Sequence, residues 1–232
     1  MCSQDRVWAY FQNNDPGVFE GAKPRLNFLI KQISQKAKNT RPKVLNIGAG
    51  NGYFELRCKK LGWEVYCLDP DENTILRLRH RGIRAFNGYI EDMPFKNVFF
   101  DFVIASEVLE HLTVNQRKQA LNEVHRVMGP GAWFLGSVPY KEELTLNQAV
   151  CPNCGETFHR WGHKDSFDCY KLQAELSAIF QQVRVKRTVF VQLHERDFLR
   201  QIKGIMRIIL GRFGSAIAMP NIYFEARKRH SW

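Results

Sequence analysis

No apolar run in the 232-residue chain is long enough to span a membrane. The opening "MCSQDRVWAYFQNND" has neither the basic start nor the apolar stretch of a secretory leader. Cysteine is sparse, six in all, and Cys2, Cys58, Cys67 and Cys169 are spaced too widely for a disulfide framework. That spacing suits reduced thiols, so a cytoplasmic location is the expectation. There is no internal repeat and no low-complexity tract. Acidic residues are in short supply: 23 Asp and Glu face 34 Lys and Arg, for a net charge of +11. The shortage is greatest from Gln181 to Trp232, where eleven Lys/Arg face three Asp/Glu. Such an excess suits an anionic partner, whether nucleic acid, lipid headgroup or phosphorylated substrate, or simply a well-solvated surface.

What the chain does have is 44% hydrophobic residues, enough for a sizeable core. "RPKVLNIGAG" reads as a buried strand, Val44 to Ile47, entering a glycine turn. A helix is expected over 53–61, a strand over "WEVYCLD" and a helix over "ENTILRLRHRG" stopped by Gly82. The strands "IRAF" and "FDFVIAS", the helix "VNQRKQALNEVHRVM" and the strand "AWFLGSVP" follow. The helix "DCYKLQAELSAIF" and the strands "VRVKRTVFV" and "NIYFEARK" complete the pattern. Strand–helix alternation predicts an α/β fold with a mostly parallel sheet covered on both faces. The two closing strands predict an antiparallel ending and a reversed edge.

"NIGAGNG" places Gly48, Gly50 and Gly52 between a strand and a helix. Glycine there lets the backbone approach a nucleotide-like ligand at the strand's C-terminal end. The loop is not the G-x-G-x-x-G of a dinucleotide fold, because position 53 is Tyr. Asp69 ends the second strand, placed to accept from ribose hydroxyls. Asp92 follows the third strand, placed to accept from an adenine amino group, with the Met93 main chain beside the ring.

Taken in order, "NIGAGNG", Asp69, "YIEDMPF", "DFVIASEVLEHL" and "VMGPGAWFLGSVP" resemble the class I S-adenosylmethionine-dependent methyltransferases, closely from Lys43 to Tyr140. The resemblance implies a Rossmann-like seven-stranded sheet with an antiparallel last strand. It implies cofactor contacts from Asn46, Gly48, Ala49, Gly50 and Gly52, from Asp69 with Pro70, and from Asp92 and Met93. Ser106 and Glu107 would flank the methionine end. One departure is Asn46, where the family usually has an acid.

"EVLEH" supplies Glu107, Glu110 and His111, which would share a face on a helical turn. Two carboxylates and an imidazole can hold magnesium or manganese and lower the pKa of a bound hydroxyl. The string resembles metal motifs in small-RNA 2′-hydroxyl methyltransferases and in ubiquinone-pathway O-methyltransferases. In the RNA enzymes a downstream His completes the set, and His163 matches it here. Metal-free methyltransferases carry similar strings that cap and pack a helix.

"CPNCGETFHRWGH" has the spacing C-x2-C-x4-H-x3-H, from Cys151, Cys154, His159 and His163. Those ligands suit a closed, structural zinc site. The alternative is two thiols in a loop with surface histidines. The two metal readings compete for His163.

The chain is expected to form one domain with three appendages. Residues 1–40 would be a lid in which Trp8, Tyr10, Phe11 and Phe19 exclude water, 148–167 a Cys/His insert and 193–215 a basic amphipathic helix. Over 194–213 that helix either packs on the sheet or touches an anionic membrane, giving a peripheral position at the inner membrane face. The expected activity is methyl transfer from S-adenosylmethionine to a hydroxyl of a small molecule, glycan or lipid-linked precursor. The alternatives are metal-assisted 2′-O-methylation of RNA and a non-catalytic, cofactor-binding scaffold. RNA rests on charge and "EVLEH" alone, since no aromatic-interleaved basic motif is present.

Overall fold

The computed structural model describes residues 5–191 and 220–229. The basic helix expected over 193–215, with its membrane contact over 194–213, lies outside the described residues. No helix among the described residues is long and apolar enough to cross a membrane.

The chain opens with α1 (Asp5–Asn14), a 3-10 turn and α2 (Lys23–Lys36). Then come β1 (Lys43–Ile47), α3 (Tyr53–Lys60), β2 (Glu64–Asp69), α4 (Glu72–His80), β3 (Arg84–Asn87), β4 (Phe100–Ser106), α5 (Val114–Val127) and β5 (Met128–Pro139). A small hairpin, β6 (Gln148–Val150) and β7 (Thr157–His159), precedes α6 (Cys169–Ser177), β8 (Gln182–Thr188) and β9 (Asn221–Arg227). The helices begin where the sequence offers caps. Asp71 and Asp168 accept backbone N–H groups at the starts of α4 and α6, and Thr113 with Gln116 forms a capping box on α5.

Seven strands form one sheet in the order β3-β2-β1-β4-β5-β9-β8. Pairing is parallel from β3 through β5, and β9 is antiparallel to both neighbours. The antiparallel last strand is therefore present. It is not a reversed edge: β9 inserts between β5 and β8, and β8 forms the margin.

Side-chain alternation explains why the strands read as unbroken apolar runs. Along β4, Phe102 and Ile104 join the layer of Leu29, Ile33, Phe54 and Ile75, while Val103 and Ala105 join that of Leu121, Val124 and Leu172. Both faces are covered, so both must be apolar. The chain passes from β1 to β2 and β3 on one side, then returns to β4 on the other. That reversal opens a crevice at the C-terminal ends of β1 and β4, where open α/β sheets bind ligands.

Arg117, 1% exposed, ties the segment after the hairpin to this frame. It donates twice to Glu175 on α6 (2.6 and 3.0 Å), and to Asp165 (2.8 Å) and the Leu112 carbonyl (3.0 Å).

Candidate active site

A cavity of about 740 Å³ opens at that crevice. Its floor is the β1–α3 loop, the ends of β2 and β4, and the loop after β3. Its roof is α1, the 3-10 turn and the segment Trp161–Lys164.

Glycine is required in the floor. Gly50 has φ +52°, and a Cβ there would stand 3.0 Å from the Phe19 ring. Gly52 has φ +80°, and a Cβ would stand 2.6 Å from Leu78. Side chains at either position would be strained and crowded, which is why the β1–α3 turn reads as glycine-rich. Gly48, Ala49, Asn46 and Pro70 also line the cavity.

Asp69 is 3% exposed. Its Oδ2 accepts from the Ala49 backbone (2.7 Å) and from Gln12 Nε2 (2.9 Å), and its Oδ1 from the Asp71 backbone (2.9 Å). Burial pushes its carboxyl up, and these donors pull it back. The carboxylate thus links the glycine loop, the end of β2 and the N-terminal helix. Gln12 had no motif to mark it.

Asn46, where the family usually has an acid, is bonded to a buried one. Its side-chain amide donates to the Gly48 carbonyl (3.1 Å) and to Glu55 Oε1 (2.6 Å). Glu55, on α3, is fully buried, and burial raises it from 4.5 to about 7. An acid therefore lies beneath the loop, contributed by the helix instead of the strand. The only sequence signal was an acid on the buried face of α3.

Asp92 and Met93, expected on the adenine side, do not line the cavity. Asp92 is exposed, and Met93 is buried in the core, with its N–H donating to Glu123 (2.9 Å). Tyr89, Ile90 and Glu91 line the cavity instead. Tyr89 and Asp92 pair across a tight turn, which carries the last residues of "YIEDM" away from the crevice.

At the other end, Ser106 and Glu107 line the cavity as expected. Ser106 Oγ accepts from Arg25 Nε (2.8 Å), and Ser137 Oγ donates to Glu107 Oε1 (2.9 Å). Asn221, at the start of β9, donates to the same carboxylate at 3.3 Å. Glu107 has φ +58°, a conformation that side chains rarely adopt and that recurs at functional sites.

That backbone breaks the expected helical face. The 3-10 turn covers only Leu109–His111, so Glu107 sits in the bend between β4 and that turn. Ligand atoms of Glu110, His111 and His163 instead lie within 4.8 Å of one another. Glu110 is 0% exposed, and both carboxylate oxygens lack a hydrogen-bond partner. Burial pushes its carboxyl well up, with the Glu107 charge adding to the effect. His111 Nδ1 lies 3.3 Å from the Gly162 carbonyl. Burial, then the neighbouring His163, lowers His111 to about 3, so its ring is neutral.

The expected zinc set does not assemble. Among the described residues no cluster of three or more donor groups includes Cys151 or Cys154. Cys154 is exposed and Cys151 buried, while His159 and His163 turn towards Glu142. The reason is local: "PNCG" forms the turn between β6 and β7, with Gly155 donating to the Cys151 carbonyl (2.9 Å). His159 ends β7 and faces the body of the protein.

The aromatic lid is partly as expected. Trp8 and Phe19 line the cavity, and Phe11 packs on Trp8 (6.1 Å between centroids), but Tyr10 is 59% exposed. The partner of Trp8 is Trp161, stacked at 6.0 Å, whose carbonyl accepts from Trp8 Nε1 (3.1 Å). Lid and insert therefore meet over the cavity.

A sequence family described as "Methyltransferase domain" matches residues 45–136. The sarcosine/dimethylglycine N-methyltransferase of Aphanothece halophytica is 28% identical over 125 residues, covering 49% of this chain and 44% of that protein. The demethylmenaquinone methyltransferase of Chlorobaculum parvum is 30% identical over 104 residues, covering 44% and 42%. The chain spans about half the length of the curated relatives it matches. The same fold occurs in a Burkholderia thailandensis 1,6-didemethyltoxoflavin N1-methyltransferase solved with its substrate and S-adenosylhomocysteine. The TM-score is 0.65 at 18% identity, covering 97% of this chain and 86% of that one. The matched residues 45–136 contain the glycine loop and the buried acid ending β2, and the chain is similar there to S-adenosylmethionine-dependent methyltransferases.

Proposed function

We propose that this protein transfers a methyl group from S-adenosylmethionine to a hydroxyl of a small molecule, glycan or lipid-linked precursor. The observation that carries the reading is the buried Asp69 carboxylate beside the glycine loop, at one end of a cavity whose other end gathers Glu107, His111 and His163. When bound, the cofactor supplies an electrophilic methyl on a sulfonium. The chain's own residues do the rest. Gly48, Gly50 and Gly52 let the backbone lie against the cofactor, and Asp69 offers acceptors for ribose hydroxyls. Ser106 and Glu107 bound the methionine end, and Trp8, Phe19 and Trp161 keep water from the reacting atoms. Alignment of two reactants in a closed site supplies much of such a rate.

Calorimetric binding of S-adenosylhomocysteine to the full chain tests the cofactor half. Methyl transfer from labelled S-adenosylmethionine into fractionated cell extract tests the acceptor. Binding without transfer to any fraction would favour the non-catalytic scaffold.

A second reading has a specific observation behind it. Glu110 presents two buried, unpartnered oxygens beside two imidazoles. Buried polar groups rarely stay unpaired, and imidazole with carboxylate suits a divalent ion. Glu110, His111 and His163 would hold it, and the ion would help an acceptor hydroxyl lose its proton, RNA 2′-hydroxyls included. Elemental mass spectrometry of tag-free protein decides: metal retained through dialysis and lost in Glu110→Gln supports the ion, and full transfer by metal-free protein excludes it.

A further inference from the structure

Glu142 belongs to no motif, yet it sits under the histidine pair of the insert. Its Oε2 meets His163 Nδ1 in a hydrogen bond, and its Oε1 accepts from Asn147 (3.4 Å) with His159 Nε2 at 3.5 Å. The His159 and His163 rings stack at 4.8 Å. Both imidazoles and the carboxylate are largely buried, with side chains 3%, 9% and 17% exposed for His159, His163 and Glu142.

Hydrogen-bond polarity fixes the protons. The backbone N–H of His163 donates to His159 Nδ1 (3.2 Å), so that nitrogen is the acceptor. Burial disfavours a charge on His159, so its one proton rests on Nε2, facing Glu142. Donor atoms of Glu142, His159 and His163 lie within 4.8 Å of one another, and His159 Nε2 has no hydrogen-bond partner. On the other side, Glu142 Oε2 faces His163 Nδ1 within hydrogen-bond reach. An ionised carboxylate only accepts, so His163 must donate from Nδ1.

We propose that Glu142 is a positioning residue that fixes His163 as its Nδ1-protonated tautomer, leaving Nε2 as the ring's one lone pair in a site it shares with Glu110 and His111. This is the arrangement that orients a histidine for metal ligation or for taking a substrate proton. The backbone supports it. Lys141, just before Glu142, has φ +48°, and the strain is held by the Lys141 N–H on the Phe167 carbonyl (2.7 Å) and the Tyr140 N–H on that of Pro220 (3.1 Å). On this reading "CPNCGETFHRWGH" is a mount for one histidine. The use made of Nε2 rests on the methyltransferase reading; the tautomer does not.

Long-range nitrogen–proton NMR correlation on full-length protein with 15N-labelled histidine is the test. In wild type, Nδ1 of His163 is expected to carry the proton and Nε2 to be free of it. Glu142→Gln offers an amide that can also donate, and should cut the tautomer ratio by roughly tenfold or more, as for a lost charged hydrogen bond. Glu142→Asp, again acceptor-only, should recover part of it. An Nε2–H tautomer in wild type, or a ratio unmoved in Glu142→Gln, overturns the proposal. The wild-type spectrum decides even where a variant fails to fold. S-adenosylhomocysteine affinity is measured alongside and should be unchanged in Glu142→Gln. Its absence in wild type, with the tautomer intact, would instead overturn the methyltransferase reading.

Discussion

The two ends of the cavity are built by different rules. The cofactor end is assembled from contiguous segments: a strand, a glycine turn and the helix it starts, then the next strand ending in Asp69. The acceptor end is assembled from pieces far apart in sequence. Arg25, Glu107, His111, Glu142, His163 and Asn221 come from both termini, the bend after β4 and the insert. A site made from neighbours in the chain can be read from spacing. A site made from strangers can be read only once the sheet has brought them together.

The sharpest way to break this contrast is to loosen the acceptor end alone. Arg117→Met strands Asp165 and Glu175 and removes the clamp behind the insert. Breaking such a buried pair costs about 3–5 kcal/mol, so a fall of that order is expected in urea unfolding. An unchanged midpoint would mean that the insert is held elsewhere.

Next in size is Asp69→Asn, which attacks the cofactor end. Losing charged hydrogen bonds is worth about 1.5–3 kcal/mol, roughly a ten- to hundredfold weakening of S-adenosylhomocysteine binding by calorimetry. Equal affinity would remove Asp69 from the cofactor site.

A smaller effect separates Glu55 from Asn46. Glu55 is raised in the folded state from 4.5 to about 7. Below the lower value it is protonated folded or unfolded, and its stabilising contribution is complete. As pH rises towards 7 the unfolded chain releases a proton that the folded chain keeps, and stability falls. Glu55→Gln should flatten that decline, followed by urea midpoints across the window. A slope unchanged by the substitution would show that other groups cause it.

The smallest expected effect is none. Cys154 is exposed and outside every donor cluster of the described residues, so Cys154→Ser should leave thermal stability and metal content as in wild type. Loss of one bound zinc per chain would restore the four-ligand clip.

Legibility followed the same division. The β1–α3 turn, the end of β2 and the capped start of α5 were readable because each is set by a few adjacent residues. The adenine side was misread by a few residues, since a tight turn at Tyr89–Asp92 sends Asp92 to the surface and Met93 into the core. "EVLEH" was misread because periodicity assumes a helix, whereas Glu107 sits at positive φ before a single 3-10 turn. Cys151, Cys154, His159 and His163 have good zinc spacing, but spacing does not state which way a hairpin turns its side chains.

By itself, then, the sequence determined the strand–helix alternation, the parallel sheet with its reversed last strand, and the glycine loop with its buried acid. Each follows from short-range sterics and apolar periodicity, which act between near neighbours. Only the tertiary structure decided that β9 would lie inside the edge, that Glu55 would pair with Asn46, and that Gln12 would reach Asp69. It also decided that Glu142 would take His163 from the cysteines. Those outcomes depend on burial and on contacts from 9 residues apart (Asn46 to Glu55) to 94 (Trp133 to Arg227), where packing of the whole core sets which groups must find each other.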